Sequence, residues 1–524
     1  MKNKAFVLGL DGVPWRLIEE WTEQGELPNF ERVMREGAAG PFDSTRPATT
    51  PVAWPSISRG VRADKHGLYG FHKLKENYSH KMNTSNDIDT PPLWEMVSPS
   101  IVANVPMTYP ASEIDGTMVS GMIAPEKNDQ FTYPPEFKTE LEEEIPEYQI
   151  SIPWGDYTDN KQEFLAEFDR LVGARRKLMR LLMNRSTDWE LFFFVYTGPD
   201  RLQHLCWGED VILEHYRELD DILGETMKYV SEVGGNLYIV SDHGFGKTDR
   251  QIHVNRILQD AGYLSEKDLS GTRGLLARIG VDRSDITKGL AKFGLDEDHM
   301  LSLFPRGLVD SVAQKMPGDH ALYDVDFEKT AAFLHFSGAV YINDTERFED
   351  GIIDPADAPA LKRELITLFE SATDPETGEK PLVVYDGDER FPTDAASPDL
   401  ILSGRRYYML NNQLDGQKFS DIVGCTAGHE DEGIFLAWGS DIESGATPND
   451  ATVYDFASTV LHSLGRPVPE LSDGRVLSEI FAKDSKPAKE SVKTNRYSGG
   501  DSAVDIDDNF DDVEDRLKGL GYLS

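Results

Sequence analysis

Seven residues scattered along the chain are of the types that hold divalent ions or attack esters: Asp11, Thr50, Asp200, His204, Asp242, His243 and His429. Carboxylates and imidazoles supply oxygen and nitrogen ligands for two ions, and the hydroxyl supplies a nucleophile between them. This is the donor set of a two-metal hydrolytic site and points to attack on a phosphate-type ester. None of the seven decides the matter alone, because an Asp after a strand also serves as a turn or cap residue. The reading rests on their order and local settings.

Asp11 follows the apolar run AFVLGL and precedes Gly12; Asp242 and His243 follow NLYIVS and precede Gly244; Asp200 lies just past LFFFVY. In an open α/β sheet, ligands bind outside the carboxyl ends of the strands, so three strands would deliver carboxylates to one edge. Asp200 and His204 are spaced i, i+4. If Gly198-Pro199 opens a helix, both lie on one face. Neighbours in a strand point oppositely, so Asp242 and His243 reach one ion only where the backbone bends, which Gly244 and Gly246 are expected to permit. His429, in AGHEDEGIFLAWG, is expected on a loop feeding a core strand.

Thr50 stands in RPATTPVAWPSISRG. Pro51 fits the first helical position, which makes Thr50 the expected N-cap. A helix N-terminus favours negative charge, on an alkoxide or an attacked phosphate. A Thr hydroxyl is poorly acidic and needs a metal to ionise. Thr49 is the competing nucleophile; Thr50 is preferred because it adjoins the proline. Lys65 and His66, which follow the nucleophile segment, read as structural or surface residues before residues near the substrate, and His253 and Asn255 receive no role.

The elements that must position these groups alternate in type. Strands are expected at Ala5–Leu10, Ile101–Val105, Met118–Ile123, Leu191–Tyr196, Asn236–Ser241, Leu400–Leu402 and Ile434–Trp438, with strand-like sequence at Ala331–Asn343. Helices are expected at Pro14–Glu36 (broken near Gly25–Pro28), Lys161–Asn184, Asp210–Val233 and Thr452–Leu464. The alternation predicts an α/β fold: a central, mostly parallel sheet flanked by helices on both faces. Residues 1–264 and 324–482 read as one discontinuous catalytic unit, 265–323 as an inserted helical cap, 483–508 as a flexible linker and 509–524 as a short C-terminal helix. No repeat, coiled coil or zinc-finger spacing is evident.

The 524 residues carry 92 acidic against 53 basic side chains, a net charge of −39. Such a charge repels nucleic-acid duplexes and anionic membranes, and matches the acidic surfaces of proteins from a high-salt cytoplasm. The two cysteines, Cys206 and Cys425, imply no disulfide framework and read as small buried side chains near the site. The N-terminal apolar run is too short for a signal peptide, and no run reaches membrane-spanning length. The expectation is a cytoplasmic protein without membrane insertion.

Taken as segments, GLDGV, TTPVAWPSISRGVRADKHGLYGF, TGPDRLQHLCW, SDHGFG and AGHEDEGIF resemble the alkaline phosphatase superfamily, in its type I phosphodiesterase/nucleotide pyrophosphatase branch. The terminal RLKGLGYL also resembles endings in that family. The resemblance implies an alkaline-phosphatase-like sheet. It implies that Asp200, His204 and His429 hold one metal, while Asp11, Thr50, Asp242 and His243 surround the other. Two zinc ions are usual in this branch, and manganese occurs in relatives. The implied reaction is hydrolysis of a small phosphate ester, a diester in the first instance, through a phospho-threonine at Thr50 that metal-activated water then cleaves. Two features narrow it. Nucleotide pyrophosphatases usually carry an Asn three residues after the nucleophile, and here that position is Ala53. The C/S-x-P-x-R motif of sulfatases is absent from the Thr50 segment. The alternatives are a phosphotransferase, mutase or phosphomonoesterase on the same scaffold, and an inactive metal-stabilised binding protein.

Overall fold

The computed structural model describes residues 3–267 and 321–498, apart from 126, 127, 129, 153, 159, 337, 415 and 423–426, together with 510, 513 and 517. The expected cap at 265–323 falls almost wholly outside the described residues, as do Cys425 and most of the expected C-terminal helix.

Fully buried runs such as AFVLGL and LFFFVY can only be central strands, since both faces are apolar. They lie at the middle of an eight-stranded sheet. Its order is Ala38–Asp43, Glu432–Gly439, Asn236–Val240, Ala5–Leu10, Leu191–Tyr196, Ser100–Ala103, Gly116–Val119, Thr132–Tyr133. The pairings from Asn236–Val240 through Gly116–Val119 are parallel, while Glu432–Gly439 and Thr132–Tyr133 pair antiparallel with their neighbours. Alternate side chains feed two apolar layers. Phe6, Leu8, Phe192, Phe194 and Ile239 face the helices Trp15–Glu23, Pro28–Glu36, Lys161–Arg185 and Asp210–Val233. Val7, Phe193, Val195 and Val240 face Thr50–Arg59, Leu93–Met96 and Asp455–Ser463. The first layer also buries Phe510, Val513 and Leu517.

A third apolar cluster stands apart from these layers. It lies beneath a four-stranded antiparallel sheet of Ala332–Leu334, Ala339–Ile342, Leu400–Gly404 and Leu382–Asp386. Leu365 and Phe369 of the helix Ala358–Ser371 pack into it, as do Ile257 and Leu258 of Val254–Asp260. The long strand Gly244–His253 links the two bodies. Its start pairs with Ala427–Glu430, and its far end pairs with Tyr407–Asn411 and Phe419–Asp421.

Part of the stretch expected as linker is held in place. Ser485 caps the short helix Lys486–Lys489, and Thr494–Asn495 pairs with Val468–Pro469. Among the described residues no helix is long and apolar enough to cross a membrane.

Candidate active site

The parallel register sets the site. Leu10 pairs with Tyr196, and Gly9 with both Val195 and Val240, so the three strands end level. The residues that follow them, Asp11, Asp200 and Asp242, are all fully buried at that edge. Gly12 takes φ 72°, open to glycine at little cost, and turns its N–H onto Asp242 Oδ1 at 3.1 Å. Its Cα lies so close to Asp200 that a Cβ there would stand 3.1 Å from the Asp200 backbone. Gln203 Nε2 donates to the Gly12 carbonyl at 2.8 Å and fixes the same turn from the Asp200 helix.

All seven sequence candidates converge here, in two groups. The ligand atoms of Asp11, Asp242 and His243 lie within 4.8 Å of one another, and so do those of Asp200, His204 and His429. The helix Gly198–Cys206 opens as expected and puts Asp200 and His204 on one face, 3.5 Å apart at their nearest polar atoms. His429 Nε2 stands 3.1 Å from Asp200 Oδ1. The groups touch through the rings of His243 and His429, stacked at 3.8 Å between centroids. Thr50 Oγ1 lies 3.3 Å from His243 Nε2.

Three expectations are corrected. Thr50 is the first helical residue of Thr50–Arg59 and not its N-cap; that position belongs to Thr49, whose carbonyl accepts from the Ala53 N–H at 2.9 Å. Pro51 sits one place further into the first turn, where a missing N–H costs no helical bond. His429 lies on a strand and not on a loop: Ala427–Glu430 pairs with the start of Gly244–His253, with Phe245 opposite His429. That pairing carries His429 alongside His243. Neither Gly244 nor Gly246 has positive φ. They are needed for close approach, because a Cβ on Gly244 would meet the Glu432 carbonyl oxygen at 2.1 Å and one on Gly246 the Glu430 carboxylate at 1.8 Å.

The electrostatics of the cluster follow from its burial. Burial first, and then the Asp200 charge, push Asp11 up to about 8. Burial and the neighbouring Asp11 push Asp242 well above the ordinary carboxylate range. Burial would also raise Asp200, but His204, Arg201 and hydrogen bonding outweigh it and hold the group well below that range. Arg201, itself buried, donates to Asp200 Oδ2 at 2.6 Å. Burial depresses both His243 and His429. His243 Nδ1 meets the Gly244 carbonyl at 2.9 Å and His429 Nδ1 the Ala48 carbonyl at 3.2 Å. Both contacts make Nδ1 the nitrogen that donates to backbone and turn Nε2 toward the carboxylates. Asp11 Oδ1 and Asp242 Oδ2 are buried with no hydrogen-bond partner. Buried carboxylate oxygens of this kind, beside imidazole nitrogens, fit divalent cations.

Sequence reasoning missed several neighbours. Trp54 donates its indole N–H to Asp11 Oδ2 at 3.1 Å; its i, i+4 spacing from Thr50 was the available signal. Trp154 stacks on His204 at 4.7 Å, with no local signal in the sequence. Beside His204, His429 and Thr49 opens a cavity of about 400 Å³, walled by Phe336, Tyr408 and Asn412 of the second body. Asn255 ties two of these walls together, accepting from Leu334 N at 2.7 Å and donating to the Asn412 carbonyl at 2.8 Å. His66 is buried on Ser56, and Lys65 is paired with Asp473, both structural roles. The Cys206 thiol is buried, and burial raises it to about 11, which suits a packing residue.

Residues 5–424 match the family described as type I phosphodiesterase / nucleotide pyrophosphatase. Among solved structures, murine ectonucleotide pyrophosphatase/phosphodiesterase 5, as an inactive variant in complex with AMP, aligns with a TM-score of 0.51. Its identity is 13%, over 89% of this chain and 96% of that one. A second structure of the murine protein and one of its human counterpart cover the same shares, at 13% and 12% identity, with TM-scores of 0.49. At such identity the likeness shows the mixed α/β fold and nothing finer. No curated protein matches the chain.

Proposed function

Because the chain belongs to the type I phosphodiesterase / nucleotide pyrophosphatase family, we propose that it hydrolyses phosphoric esters, diesters before monoesters, with Thr50 as nucleophile. The observation that carries this reading is the placement of a buried hydroxyl at the first turn of a helix, 3.3 Å from the histidine whose ring joins the two ligand groups.

Asp11, Asp242, His243 and Thr50 would hold one divalent ion, and Asp200, His204 and His429 the other. The nitrogen and oxygen donors suit zinc, with manganese as the second choice. Bound there, the ions supply Lewis acidity that lowers the hydroxyl pKa and offsets charge on the phosphoryl oxygens.

The chain's own groups do the rest. The partial positive charge at the N-terminus of Thr50–Arg59 would favour the negative charge of a phosphoryl group held at Thr50. Thr50 Oγ gives its proton to solvent and attacks phosphorus in line, the bond to the leaving oxygen breaks, that oxygen takes up a proton and departs as the alcohol, and a phospho-threonine forms. Water then cleaves that ester, returns a proton to Thr50 and releases the phosphomonoester. Trp54 holds Asp11, and the two backbone carbonyls on Nδ1 hold His243 and His429, so little reorganisation is needed at the reacting centre. The adjoining cavity accommodates an organic substituent of the phosphate. The murine structure holds AMP, which makes nucleotide esters the first substrates to test. Ala53 offers no polar group to a phosphoryl oxygen, so non-nucleotide diesters belong in the same panel.

The test is a panel of aryl phosphodiester, aryl phosphomonoester and aryl sulfate on protein of measured metal content. The diester should turn over fastest. A fully metal-loaded protein inactive on every ester would establish a binding function instead.

A further inference from the structure

We infer that the cavity at the C-terminal end of the helix Thr50–Arg59 is a second ligand site, one that takes an oxyanion onto Arg59. The cavity has a volume of about 380 Å³ and is lined by Arg59, Thr90, Glu470, Leu471, Arg496 and Tyr497 among others. Arg59 lies at the end of the helix that Thr50 begins. The two are roughly 14 Å apart along the helix axis at 1.5 Å per residue, too far to share one anion.

Arg59 is only 5% exposed, yet no acidic side chain forms an ion pair with it among the described residues. Nε donates to the Thr90 carbonyl at 2.8 Å and Nη1 to the Ser58 hydroxyl at 2.9 Å. These partners are neutral, and they use two of the five N–H donors of a guanidinium. Other buried arginines are satisfied differently. Arg201 meets Asp200 and Arg250 meets Asp374, while Arg175 is enclosed by Asn104, Tyr148 and the Ile150 carbonyl. Burial lowers Arg59 to about 10, opposed only by the more distant charge of Glu95. A desolvated cation with spare donors at a cavity wall is costly unless an anion completes it.

The rim adds a second cation. Arg496 lines the same cavity and pairs with Glu470 at 2.7 Å, so the lining is net positive in a chain of net charge −39. Leu471, 58% exposed, and Tyr497 supply an apolar flank. The wall exists because Thr494–Asn495 pairs with Val468–Pro469 beside the loop that hydrogen-bonds to Gly60. Phosphate and carboxylate share the chemistry that a guanidinium recognises.

Equilibrium dialysis of the holo protein against inorganic phosphate tests this, with acetate as the carboxylate arm. One bound equivalent of phosphate or acetate should survive chelation of metal and be lost in Arg59→Gln. The active-site equivalent should disappear on chelation and be untouched by the substitution. Should Arg59→Gln fail to fold, Arg496→Gln decides, with an expected weakening of roughly two- to fivefold for an exposed rim charge. If all bound anion vanishes on chelation, or neither variant changes the chelation-resistant equivalent, there is no such site.

Discussion

At the scale of residues, the two adjacent threonines separate by what their hydroxyls touch. Thr50 Oγ1 faces His243 Nε2, whereas Thr49 Oγ1 is buried without a hydrogen-bond partner. Removing a buried unsatisfied hydroxyl is close to neutral or stabilising. Thr49→Ala should therefore keep activity and stability. Thr50→Ala should keep the fold and most of the metal while turnover falls on the order of a thousandfold or more. Steady-state rates with metal content by mass spectrometry check both, and the opposite ranking would name the other threonine. The carboxylates give a pH prediction. Asp11 is raised from an ordinary value near 3.8 to about 8, and Asp242 is raised as well. The stability their protonated forms lend to the metal-free fold is complete below about pH 4 and lost as pH rises through about 8. Chelated protein should thus unfold more readily at pH 8.5 than at pH 6. Asp11→Asn should flatten that dependence, and metal should restore the alkaline form, releasing protons as it binds. A chelated wild type equally stable at both pH values would mean that the pair is not desolvated as it stands here. These residues were legible because strand ends and local spacing announce them. Trp54 and Arg201 sit within four residues of a candidate, but their bonds to Asp11 and Asp200 depend on side-chain directions that spacing alone does not fix.

At the scale of elements, the strand Gly244–His253 does most to assemble the site, because it begins at Asp242-His243 and recruits His429 by pairing. Its first residues run where no side chain fits. A Cβ on Gly244 would strike the Glu432 backbone carbonyl, which belongs to the central sheet and cannot give way. Gly244→Ala should cost about 1–3 kcal/mol or more by strain and displace His243. Gly246→Ala meets only the end of the Glu430 side chain, which can swing aside, and should be milder. Denaturant unfolding and metal content of the two variants check the ordering; an equal or reversed effect would mean that the sheet edge is looser than described. Most elements were legible from period and burial, with Leu191–Tyr196 and Asp210–Val233 at the expected bounds. The antiparallel body was legible only as strand-like stretches. Its strands span residues 332–404 and pair out of chain order, with Ala339–Ile342 against Leu400–Gly404. Local periodicity carries no information about such distant partners. The cavity wall they build was invisible for the same reason, and so was the role of Asn255, which bonds across 79 and 157 residues.

At the scale of the whole molecule, charge decides the response to salt. Exposed ion pairs such as Arg32–Glu36, Arg475–Glu479 and Arg496–Glu470 lose strength as salt rises, but each contributes at most about 1 kcal/mol. Against them stands an excess of 92 − 53 = 39 acidic side chains, whose mutual repulsion the same salt relieves. The Debye length falls from about 10 Å at 0.1 M to about 3 Å at 1 M, shorter than the spacing of most surface charges. Repulsion among so many like charges is a sum over all pairs, whereas the favourable contacts are few and local, so its relief should win. We therefore predict that thermal stability rises from 0.1 M to 2 M potassium chloride. Tetramethylammonium chloride, a different cation at equal ionic strength, separates screening from specific hydration. Parallel rises in both salts would mean screening, and a rise in potassium chloride alone would mean that bound, hydrated cations contribute. Any divalent ion the chain binds must be held saturating throughout, because a ligand that binds only the folded state stabilises by mass action and would hide the effect. A flat or falling stability in both salts would show that the acidic excess is dispersed too widely to act collectively, and the halophilic reading of this sequence would then be withdrawn.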